Sequence, residues 1–189
     1  MQDTVAADGT RLMPSSPPAR HRTSTVVVVT VVAATIVVIG LVLSGRLGGS
    51  PPVLELRDPV TGEVLVERGV EVGEELVLTH THSVTRRPVI ERFSVNANHV
   101  LTLESMEFDE PGPNLPTGPE RFGEQMTSFE TVDGVYRVVH HGYPIGSVTL
   151  RTGSVDVDHT LTFGDGEQVR LLELTRTGGP VELRVAGER

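Results

Sequence analysis

Two histidines one residue apart, His80 and His82, lie in a run of apolar residues and threonines, and a carboxylate, Glu91, follows a short turn later. A third imidazole, His159, sits in a second alternating run nearer the C-terminus. Imidazole and carboxylate together offer three kinds of chemistry. They are ligand types for a divalent metal, which makes His80, His82, Glu91 and His159 candidate metal ligands. Buried together, they form an imidazolium–carboxylate pair that fixes strand register. Left open, they line a polar pocket for a small ligand or a partner's side chain.

The choice depends on the elements that position them. Glu75–Val84 and Val89–Val95 read as a hairpin whose turn centres on Arg86-Arg87. That register sets Val84 opposite Val89, His82 opposite Glu91 and His80 opposite Phe93. Side chains alternate across a strand, so Leu76, Leu78, His80, His82 and Val84 share a face with Val89, Glu91, Phe93 and Val95. Thr79, Thr81, Ser83, Arg92 and Ser94 take the other, polar face. Val155–Phe163 repeats the pattern and places His159 among Val155, Val157, Leu161 and Phe163. Burying a carboxylate unpaired costs several kcal/mol, so Glu91 needs a partner, and His82 directly across the ladder is the expected one.

The rest of the exported portion follows the same grammar. Further strands are expected at Val53–Arg57, Val64–Glu67, Val100–Phe108, Met126–Thr131, Val135–His140, Ser147–Arg151, Gln168–Leu174 and Val181–Val185, with a short helix as the alternative for Gln168–Leu174. Thr61-Gly62, Asn96–Asn98, Asp133-Gly134, Thr152-Gly153 and Asp165-Gly166 supply turns. The expected fold is all-β, an antiparallel sandwich or barrel-like domain.

Other polar motifs carry less. His140-His141 reads as a solvated strand end, and Asp156-x-Asp158 lacks the remaining carboxylates and glycine of a calcium loop. Ser83 points away from His82, and there is neither a Gly-x-Ser-x-Gly elbow nor a phosphate-binding glycine loop. The chain contains no cysteine, which removes thiol chemistry and disulfides. A non-enzymatic protein is expected, without a cofactor unless the histidines hold a metal. Asp109–Pro119 has four prolines in eleven residues, a pre-ordered loop suited to recognition or to rigid connection.

Val26–Leu43 is eighteen residues long and carries no charge. At ~1.5 Å per residue it matches the ~30 Å hydrocarbon core as one transmembrane helix. Arg11, Arg20 and Arg22 precede it and only Arg46 closely follows, which puts the N-terminus in the cytoplasm and the rest outside. A cleavable signal peptide, with Val42 and Ser44 before Gly45, is the competing reading. The expected organisation is a disordered cytoplasmic tail (1–24), an anchor (25–44), a linker (45–52) and an extracytoplasmic β-domain (53–189). That domain holds 12 arginines against 23 acids, so nucleic acid is not an expected partner.

His82-Ser83-Val84, the downstream Glu91 and the loop Gly112-Pro113-Asn114-Leu115-Pro116 resemble the domain-of-unknown-function family eighteen-fifty. Its pattern is a His-Ser-Val strand end, a Glu, and a Gly-Ala-Gly-Leu-Pro loop; His159-Thr160-Leu161 resembles a later family feature. The resemblance runs from about Val53 to Leu174. The loop keeps the first glycine and the Leu-Pro, but Asn114 stands where the second glycine is usual. The resemblance implies a small exported or anchored protein encoded beside TRAP transporters of the TAXI type, with no enzymatic activity attached. The expected partners are thus a permease or solute-binding subunit, met through Gly112, Asn114, Leu115 and Pro116. A metal- or small-ligand-binding exported domain is the second expectation.

Overall fold

Alternating apolar and polar residues, punctuated by residues that tolerate positive φ, produce a meander of antiparallel strands. The computed structural model describes residues 51–187. They form β1 (Val53–Arg57), β2 (Val64–Gly69), β3 (Glu75–Thr81), β4 (Pro88–Val95), β5 (Leu101–Phe108), β6 (Arg121–Phe122), β7 (Gln125–Met126), β8 (Ser128–Val132), β9 (Val135–Arg151), β10 (Thr160–Thr162), β11 (Gln168–Arg170), helix α1 (Leu171–Leu174) and β12 (Pro180–Val185). Ten strands join in one sheet of order β11-β10-β3-β4-β5-β9-β12-β1-β2, with β8 also on β9. β6 and β7 make a separate hairpin. The domain is all-β, as its turn spacing implies.

The sheet curls into a half-barrel around one main core. Leu54, Leu56, Val181 and Leu183 from β1 and β12 share it with Leu76, Leu78, Phe93 and Leu101 from β3, β4 and β5. Each such side chain, fully buried, contributes about 1.5–3 kcal/mol. Leu171, the first residue of α1, is wholly buried in the same core. A second cluster, Val89, Phe108 and Val138 with Met106 and Leu115 against it, lies toward the end where β3 and β5 finish.

Two strands expected separately, Val135–His140 and Ser147–Arg151, are one. β9 runs for 17 residues, pairing with β5 along its first part and β12 along its last. Positive φ at His141, Gly142 and Gly146 and two register shifts against β5 bend it between the halves of the sheet. Val155–Phe163 is corrected in the other direction. Only Thr160–Thr162 pairs as a strand, because the chain turns at Ser154–Asp158, with Ser154 C=O accepting from the Val157 and Asp158 amides. Gln168–Leu174 divides into β11 and α1.

The two outer strands of the sheet, β2 and β11, share no ladder. Arg68 of β2 bridges that seam. Its guanidinium pairs with Asp165 and, at 3.0 Å, with Glu167 in the β10–β11 turn, and lies 4.0 Å over the Phe163 ring. The expected anchor, tail and most of the linker lie outside the described residues. Among the described residues no helix is long and apolar enough to cross a membrane.

Candidate functional site: a histidine cleft

The β3–β4 register differs from the one expected. His80 faces Val89, Leu78 faces Glu91 and Leu76 faces Phe93, a shift of the whole ladder with the faces preserved. His80 and Glu91 therefore do point inward, but His82 is not opposite Glu91. It lies in the loop closing the hairpin, where its amide donates to Arg87 C=O and its C=O accepts from the Arg86 amide. The expected His82–Glu91 pair does not exist. Glu91 stands between Leu78 and Met106 across the ladder, and burial alone raises its pKa, with no cation to offset it.

His82 has another task. Its Nδ1 accepts from the amides of Val84 (3.3 Å) and Thr85 (3.1 Å), so Nε2 carries the proton and donates to Pro113 C=O at 3.0 Å. One buried imidazole thus orders the β3–β4 turn and fastens the proline-rich loop to it. Gly112 lets that loop approach: a Cβ there would meet His82 Cε1 and Thr85 Cγ2 at 2.8 Å. The Leu115 amide bonds to Gly112 C=O at 3.1 Å, with Pro113 and Asn114 at the turn's centre. Asn114 has φ +66°, the conformation a type II turn demands at that position and one Asn tolerates best after Gly. The departure from the family's second glycine is thereby met. Arg87, whose Nε lies 3.0 Å from both Asp109 carboxylate oxygens, ties the start of the loop to the same turn.

His159, directly before β10, reaches the same end because Thr160 pairs with Thr79 of β3. The His80 and His159 rings stack with centroids 4.7 Å apart. Burial, then the neighbouring His159 and His82 imidazoles, push the His80 pKa down to about 4. Burial likewise lowers His159, opposed by nearby Asp158, which Arg170 holds in a bidentate pair. Both rings are therefore neutral near neutral pH. His80 Nδ1 is buried with no hydrogen-bond partner.

These residues line a cleft of about 280 Å³. Its polar edge is His80, His82 and His159, and its apolar wall includes Val89, Met106 and Leu115. Pro113 and Asn114 line it too, so the proline-rich loop and the histidine group, read separately from the sequence, line one cleft. Ser83 is also at its edge but makes no hydrogen bond to any of the three imidazoles.

The metal reading does not fit this geometry. Both His82 nitrogens are occupied, the other two rings are stacked face to face, and Glu91 is two ladder rows from His80. Among the described residues no group of three or more His, Asp or Glu is arranged to hold a metal ion.

One histidine was misjudged from sequence. His140 is not a solvated strand end: it is 3% exposed, and neither ring nitrogen has a partner. The β6–β7 hairpin covers it, with Phe122 edge-on at 4.9 Å and Gln125 Nε2 donating to its carbonyl at 3.2 Å. The signal was available in His141-Gly142, a pair suited to a bulge that re-aims its neighbour. His141 meets Ser128 Oγ at 2.9 Å instead.

A family described as "Domain of unknown function (DUF1850)" matches residues 76–171, more than half of the chain. The chain belongs to that family. The match starts in β3 and ends at Leu171, so it includes all of the cleft and leaves out β1, β2 and β12. No curated protein and no solved structure matches.

Proposed function

We propose that this is a membrane-anchored, non-enzymatic accessory protein whose extracytoplasmic β-domain docks on a TRAP-type (TAXI) solute transporter, at its permease or its solute-binding subunit. The observation that carries the docking surface is the His82–Pro113 hydrogen bond, which holds the Gly112–Leu115 turn in place at the cleft before any partner arrives. A pre-ordered loop loses little entropy on binding. The apolar run Val26–Leu43 supports the anchor. Affinity purification of the tagged full chain from native membranes tests it. Co-elution of a transporter subunit, lost on Leu115→Asp, is the expected result; no subunit with the unmodified chain ends the proposal.

A second reading, that the cleft itself binds a small ligand, is favoured by its roughly 280 Å³ of space and by the His80 and His159 rings that line it. The two readings share one surface and are compatible.

A further inference from the structure

Resting on the reading that the cleft takes a small ligand, we propose that this ligand is a short aliphatic carboxylic acid. Its carboxyl group sits at His80 and His159, and its chain lies against Val89, Met106 and Leu115.

The lining is unusual for this molecule. The chain has 25 acidic residues and 16 arginines, yet neither a carboxylate nor a guanidinium lines the cleft. Its polar side chains are three imidazoles, the Ser83 hydroxyl and the Asn114 amide. His82 spends both nitrogens on its own turn and on Pro113, so it is wall. His159 Nδ1 accepts from the Gly153 amide at 3.4 Å, which puts its proton on Nε2, so His80 and the His159 Nε2–H remain to read a ligand.

Two rings 4.7 Å apart, with no acid beside them in the cleft, offer a cationic ligand no counter-charge. A carboxyl group suits them. Its O–H donates to one ring nitrogen while its other oxygen accepts from the second ring's N–H, so one group serves both. Shared with an imidazole, the acidic proton makes a charge-assisted bond stronger than an amide can make. The space is at the small end of ligand pockets, which matches a chain of roughly four to six carbons.

The free ligand is an anion at neutral pH and the cleft is uncharged, so each acid bound takes one proton from solvent. The proton rests between carboxyl and imidazole, and no other bond changes. Apparent affinity then falls about tenfold for each pH unit above the ligand's own pKa. The titratable groups around the cleft are Glu91 on the sheet's inner face, Asp158 paired with Arg170, and the Arg86–Asp156 and Arg87–Asp109 pairs at the rim.

Calorimetry on the full chain in nanodiscs, with butyrate in two buffers of different ionisation heat, tests this. The expected result is saturable 1:1 binding, uptake of one proton, and affinity about 100-fold weaker at pH 8 than at pH 6. Butyramide and butylamine bind at least tenfold more weakly. His80→Phe keeps a ring to stack on His159 and should lose butyrate while its urea midpoint at pH 8 does not fall below that of the parent chain. If butyramide binds as well as butyrate with the same dependence on His80, the acid assignment falls and the small-ligand reading stands. If His80→Phe binds butyrate normally, the assignment of the carboxyl group to His80 falls; if no probe saturates, both fall.

Discussion

His80 and His159 lie ring to ring, planes 26° apart and centroids 4.7 Å apart, although they are 79 positions apart in the chain, one in β3 and the other directly before β10. The contact exists because β10 pairs with β3, and it makes the cleft's pH behaviour a property of the fold. His80 protonates near 6.5 when unfolded and at about 4 when folded. Between those values the unfolded chain binds the additional proton, so stability falls as pH drops from about 6.5 to about 4 and then levels. The loss is about 2 kcal/mol after allowance for the ring's contact with water. His159 and His140 act in the same direction. Urea melts from pH 4 to 7 check this: His80→Phe should flatten the acid limb.

Glu91 works in the opposite sense. Burial raises its folded pKa above 4.5, so the folded chain holds this proton longer, and stability drains as pH rises through the folded value. Glu91→Gln removes that loss. The variant should match the parent chain at pH 4 and exceed it at pH 8, read as a higher urea midpoint. A fall at pH 8 would mean that Glu91 has a cationic partner after all.

Gly112→Ala places a methyl group against the His82 ring and Thr85. Overpacking of this kind costs about 1–3 kcal/mol, and here the first casualty is the His82–Pro113 bond. The His82 ring signals in NMR should move, and the melting temperature should drop.

Asn114 occupies left-handed backbone space. Asn114→Gly should change stability by less than about 1 kcal/mol, whereas Asn114→Val should cost about 1–2 kcal/mol, because a β-branched residue is strained at φ +66°. Thermal melts of the pair separate a conformational role from a side-chain one.

The faces taken by His80, Glu91, Thr79 and Arg92 were legible in the sequence and their partners were not, while Val84 and Val155, read as inward, are exposed. Alternation has a period of two, so a ladder displaced by an even number of positions leaves His80 and Glu91 inside and Thr79 and Arg92 outside. The displacement arose at His82. In the sequence it continues an apolar alternation, but its Nδ1 competes for the Val84 and Thr85 amides and ends the strand at Thr81. Val155–Asp158 misled for a related reason: an alternating run became a turn, with Asp158 at φ +39° held by Arg170. The loop was legible through its prolines and its first glycine. That it and the histidines share a single cleft depended on a hydrogen bond across 31 positions, which no local pattern announces.

The seam at Arg68 divides the domain mechanically. Ladder bonds run unbroken from β11 through β9 to β2, but the circuit is completed by one side chain, and a load applied at Val53 enters β1, one strand in from that weakly fastened rim. β2 and then β1 can lift away from β12 while β3, β4, β5 and β10 keep every bond that frames the cleft. A pull transmitted through the N-terminal side would therefore strain first the half of the sheet that does not line the cleft.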